Sequence, residues 1–141
     1  MQEYDFGIFD QSGRLRAVVE AKRHLGMEAS WATEFRRNLV AHGAPTSEFF
    51  AFVTPDRIFA WRSGAPADAV PDADIDARPI LGPYFERSQT KPELIEPGAF
   101  ETLVGWWLAD VVHTRTTDPR LRESGFPETV AGGQVRPGIA A

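Results

Sequence analysis

With 141 residues, 43% of them hydrophobic and 25% charged, the chain has the size and composition of one folded domain with a single core, which excludes disordered and collagen-like architectures. It contains no cysteine, so disulfides, thiolate metal sites and a cysteine nucleophile are excluded, and its three histidines, His24, His42 and His113, lack paired ligand spacing. The net charge of −5 argues against a protein that coats nucleic acid without specificity. No apolar run approaches the roughly 18–20 residues that span a bilayer, and the first residues lack the basic and apolar stretches of a signal peptide. A cytoplasmic protein with no membrane partner is the expectation.

In chain order, residues 4–9 are rich in aromatic and β-branched types and end at Asp10-Gln11-Ser12-Gly13, a strong turn signal. Residues 14–22 follow as a second strand, which predicts an antiparallel hairpin. Residues 28–42 read as a helix, because Trp31, Phe35 and Leu39 recur every four residues beside Ala32 and Gly43 stands at a C-terminal cap position. The same spacing assigns Trp31 and Phe35 to the core rather than to base stacking. Residues 49–54 and 57–62 are two further strands joined at Pro55-Asp56. Residues 63–79 are rich in Pro, Ala and Asp and read as an exposed connection, while 78–85 are ambiguous. A final helix runs from Pro97 to about Val112 on a stripe that includes Phe100, Leu103, Val104 and Trp107. Residues 1–113 therefore form one domain, and 114–141, with few large apolar residues, read as a loosely ordered tail. The fold class is α/β or α+β, a small mixed sheet flanked by helices.

The residues that can carry chemistry are Asp5, Glu20 and Lys22. The chain has two lysines, Lys22 and Lys91, against thirteen arginines, and Lys22 ends an otherwise apolar strand. Glu20 and Lys22 share a face because strand side chains alternate. A turn at residues 10–13 pairs Phe9 with Arg14 and hence Asp5 with Val18. That sets Asp5 diagonal to Glu20 on the same face, with β-carbons roughly 7–8 Å apart. A turn one residue longer would send Asp5 to the other face. Two carboxylates at that spacing can close on one divalent cation, and a lysine beside them can stabilise charge on a phosphate. Without further context, Glu20 and Lys22 read as a surface ion pair. Arg23, Arg36 and Arg37 are candidate phosphate contacts. His24 has the parity of Lys22 and reads as a solvated residue after the strand. Trp106 and Trp107 are adjacent and cannot both face one core.

Asp5, followed after fourteen residues by Glu20-Ala21-Lys22, then an amphipathic helix and the run Phe49 to Trp61 with Thr54-Pro55-Asp56 at its turn, resembles the PD-(D/E)XK nuclease superfamily. In particular it resembles the small restriction-endonuclease-like proteins related to the N-terminal domains of type I restriction subunits. Tyr4-Asp5 stands where the family has Pro-Asp, and the resemblance covers residues 4–61. It implies a restriction-endonuclease-like fold, a Mg²⁺ or Mn²⁺ cofactor, and metal binding by Asp5, Glu20 and the main-chain carbonyl of Ala21, with Lys22 catalytic. The implied activity is phosphodiester hydrolysis in DNA; the alternative is a catalytically weak or inert member that binds nucleic acid or a protein. Family members place a helix and a strand before the aspartate. Here Asp5 is almost at the N-terminus, so the expectation is a truncated chain, recruitment of another element such as the helix carrying Glu101, or a sheet completed by a partner. An open sheet edge beside residue 4 and the Trp106-Trp107 pair predict a homodimer or a heteromeric partner.

Overall fold

Asp10 closes the first hairpin with its own side chain. Its carboxylate accepts from the Ser12 amide (2.9 Å), the Ser12 hydroxyl (2.6 Å) and the Arg14 amide (3.0 Å), and Gly13 takes a positive φ of 85° that a side chain would oppose. The Ser12 hydroxyl, with help from the two amides, holds the Asp10 carboxyl below its ordinary range. The computed structural model describes residues 4–46, 48–113 and 118–138. The hairpin joins β1 (Phe6–Phe9) to β2 (Leu15–Ala21).

The chain continues through α1 (Ala29–Ala41), β3 (Phe49–Val53), β4 (Arg57–Trp61), β5 (Ala73–Asp76), α2 (Arg78–Ser88), α3 (Pro97–His113), α4 (Pro119–Glu123), α5 (Phe126–Val130) and β6 (Gln134–Pro137). The protein is α+β: these six strands form one sheet in the order β5-β4-β3-β2-β1-β6. Every neighbouring pair is antiparallel except β2 and β3, which run parallel and are bridged by α1 as a βαβ unit.

Each face of the sheet has its own core. Val18, Phe50, Phe52, Phe59 and Trp61 point to the α1 side, where Ala32 and Met27 pack on them. Ile8, Ala17, Val19, Ala51 and Ile58 point to the other side, under Leu81, Phe100, Leu103, Val104 and Leu108 of α2 and α3. Trp107 is buried there and Trp106 stays 45% exposed, as adjacent helical positions demand.

Three expectations need correction. The segment 63–79 is not simply an exposed connection: it ends in β5, and its first half lies over the α1-side core, where the Ala69 carbonyl accepts from the Trp61 indole (2.8 Å). Residues 118–138 are not a loose tail, for Leu121, Phe126 and Val130 are buried in the core. Finally, β6 pairs with β1, so the edge that was to call for a partner is covered by the chain itself. The closure is tight. The Gly138 amide donates to the Asp5 carbonyl (2.7 Å), and a β-carbon at 138 would lie 1.3 Å from the Tyr4 carbonyl oxygen, so only glycine fits.

Candidate active site

The observed register brings Asp5 and Glu20 closer than the simplest hairpin would. Phe9 pairs with Leu15, one residue beyond Arg14, a slip that by itself would turn Asp5 to the opposite face. The ladder then shifts again between Phe9 and Ile8, which pairs with Ala17, leaving Arg16 as the extra residue of a bulge. The second shift restores parity. Phe6 pairs with Val19, so Asp5, the next residue out, stands across from Glu20 rather than diagonal to it.

Asp5 is fixed there by its own carboxylate, whose Oδ2 accepts from the Ala21 amide at 2.8 Å. Glu20 is 4% exposed and stands across from Asp5. Burial pushes the Glu20 carboxyl up to about 9, with the Asp5 hydrogen bond and negative charge acting in the same direction and the Lys22 ammonium opposing them. At neutral pH Glu20 therefore keeps its proton, a buried acid beside another acid.

Lys22 lies one step past β2. Its amide donates to the Val53 carbonyl (2.9 Å), which continues the parallel pairing, while the side chain is exposed. The ammonium sits 5.5 Å from the centre of the Phe35 ring, which meets Phe52 edge-on with centroids 4.7 Å apart; Phe52 in turn is the ladder partner of Glu20. The three residues thus gather at the carboxyl ends of the parallel strands β2 and β3, where open α/β sheets commonly bind ligands. Glu101 joins from α3: its carboxyl is pushed up by burial and by the negative charge of Asp5, and lowered by Lys22.

No family model, curated protein or solved structure matches this chain. The site is therefore read from its own geometry. Among the described residues no group of three His, Cys, Asp or Glu side chains is arranged to hold a metal ion. The donor set is the Asp5–Glu20 pair, with the Ala21 main chain between Glu20 and Lys22. The chemistry of that pair suits a divalent cation: two carboxyls that hold one proton between them are neutralised more fully by a doubly charged ion, which replaces the proton.

The arginines divide. Arg23 is exposed beside Lys22. Arg37 is exposed and pairs with Glu34 at 3.3 Å. Arg36 is not a phosphate contact: it is fully buried, its guanidinium donates to the carbonyls of Pro66 (2.7 Å) and Ala65 (2.9 Å), and it lies over the rings of Phe50 and Trp61.

Two features were not legible in the sequence. Asp56, flagged there within the Thr-Pro-Asp run, ties the site together. One carboxylate oxygen accepts from the Gly26 amide (3.1 Å), the other from the Thr54 hydroxyl (3.1 Å), and its carbonyl accepts from the Ala77 amide. It therefore anchors the loop that leaves Lys22 to the tip of the β3–β4 hairpin. Trp31, assigned to the core by its spacing, is instead 50% exposed.

Proposed function

We propose that this protein is a Mg²⁺- or Mn²⁺-dependent nuclease-like hydrolase that cleaves phosphodiester bonds in DNA. The observation that carries the reading is the buried Glu20 carboxyl facing Asp5 with Lys22 at the mouth of the pair. Burying the Glu20 carboxyl beside Asp5 carries a desolvation cost, which supports a functional reading of the pair. Further support comes from the order of elements. On this reading β6, antiparallel to β1, and α3, which carries Glu101, would stand in for the strand and helix that the nuclease resemblance expects before the aspartate.

On this reading Asp5 and Glu20 would hold the cation, with the Ala21 carbonyl as a main-chain donor. When bound, the cation supplies Lewis-acid polarisation of the phosphate and a more acidic water. The chain's own residues do the rest. The Ala21 amide aims the Asp5 carboxylate, and Glu20 would give up its proton to solvent on holding the cation. The Lys22 ammonium, held against Phe35, stabilises negative charge developing on the phosphate oxygens.

The test is incubation of the protein with supercoiled, linear and single-stranded DNA and with RNA in Mg²⁺ or Mn²⁺, alongside calorimetry of Mn²⁺ binding. Cleavage that requires the metal, together with loss of Mn²⁺ binding in Glu20→Ala, is the expected result. Unchanged Mn²⁺ binding in Glu20→Ala overturns the assignment, and metal binding without cleavage favours an inert nucleic-acid-binding member instead.

A further inference from the structure

Beyond the acid pair, the α1 side of the molecule carries an open aromatic ladder that starts at the site. Lys22 lies over Phe35; the Phe35 ring stacks with Trp31 at 6.4 Å and 15° between planes; Trp31 stacks with His24 at 5.3 Å and 9°. The last two rings are exposed to solvent, and half of the Trp31 surface is free. They border a concavity of about 210 Å³ with Gly26, Met27, Glu28 and Ser30. The loop carrying His24 is held in place by the Asp56–Gly26 hydrogen bond, so the planes are set before any ligand arrives.

We propose that Trp31 and His24 form a stacking platform for an unpaired base of a single DNA strand, whose backbone runs past Arg23 and Lys22 toward Asp5 and Glu20. This deepens the nuclease reading and rests on it for the choice of DNA. The open end of this parallel stack suits a base because every base offers a flat π-face, and the consecutive residues Lys22 and Arg23 put positive charge where the phosphates would lie. A paired base inside a duplex keeps its faces stacked on its neighbours and cannot use the platform without being extruded. The Glu28 carboxylate at the rim is an acceptor for exocyclic amino groups.

The test measures binding of fluorescein-labelled oligomers by anisotropy in EDTA, where hydrolysis plays no part. The expected result is that a single-stranded DNA oligomer binds more tightly than the duplex of the same sequence. Trp31→Ala then weakens single-strand binding about 5- to 150-fold, the range for losing one base–aromatic stack. Trp31→Phe recovers most of the affinity, His24→Ala loses part of it, and Trp106→Ala, at the distant exposed tryptophan, binds as wild type. Thermal melts confirm that the variants fold; should Trp31→Ala fail, Trp31→Phe and His24→Ala still decide. Equal binding by wild type and Trp31→Ala, preference for duplex or RNA, or no oligomer binding overturns the platform. Mn²⁺ binding and cleavage are read separately, so an intact platform on a protein without metal chemistry overturns the hydrolase reading alone.

Discussion

Glu20 stands across the β1–β2 ladder from Asp5, whose carboxyl group helps to hold the Glu20 proton in a site where Glu20 is almost wholly buried. In the folded chain the Glu20 carboxyl titrates at about 9, against an ordinary value of 4.5. Protonation of Glu20 therefore stabilises the fold fully below about pH 4.5, and that contribution is lost as pH rises through 9. Without divalent ions, the contribution of this group should make the melting temperature fall by several degrees between pH 5 and pH 9. Glu20→Gln should flatten that slope and melt higher than wild type at pH 9. Equal slopes in the two proteins would remove the buried proton from the account.

Lys22 is exposed and makes no part of either core, so its replacement separates chemistry from folding. Lys22→Ala should keep wild-type thermal stability within about 0.5 kcal/mol and keep Mn²⁺ binding. Any cleavage should drop on the order of 10²-fold or more, as for loss of a group that stabilises transition-state charge. A rate within threefold of wild type in single-turnover assays would exclude Lys22 from catalysis.

Arg36 tests the packing of α1. Its removal empties a space between Phe50 and Trp61 and leaves the carbonyls of Pro66 and Ala65 without their donors. Arg36→Ala should cost about 3–5 kcal/mol in urea unfolding. Arg36→Met, which refills the volume but not the hydrogen bonds, should cost less, about 1–3 kcal/mol. A loss below about 1 kcal/mol for alanine would mean that the guanidinium is not held as described.

Asp56→Ala should loosen the loop after Lys22 while sparing the sheet. Two side-chain hydrogen bonds are lost, each contributing about 0.5–1.5 kcal/mol. Hydrogen exchange should quicken at the Gly26 amide and stay slow at Val18 and Val19. Uniform acceleration across all three would instead indicate global destabilisation.

Much of this architecture was legible in the residues. The Asp10–Gly13 turn, the strands either side of Pro55-Asp56 and the shared face of Glu20 and Lys22 follow from turn chemistry and strand parity. The exact register did not, because a bulge at Arg16 has no distinct composition and two successive shifts cancel in parity. On α1 the large aromatic residues drew the eye to Trp31 and Phe35, yet the most buried line is Ala32 and Arg36. Ala32 lets the helix approach the sheet, and Arg36 supplies bulk while its head finds carbonyls above the core. The order of the segment after residue 117 was not legible because its buried side chains are few and its helices are one turn long. Proline at the start of each, Pro119 after the Asp118 cap and Pro127, was the available signal.

The pairing of β1 with β6 also fixes an order of events. β1, the strand next to Asp5, precedes residues 134–137 in the chain, yet its outer edge is paired by that later segment, and the Asp5 carbonyl accepts from the Gly138 amide. A nascent or prematurely terminated chain can build β2, α1 and β3 and still present an open edge beside the acid pair. Of the described strands, β6 is the last in chain order and completes the setting of Asp5, so a chain cut before residue 134 lacks a finished site and exposes a strand edge for quality control to recognise.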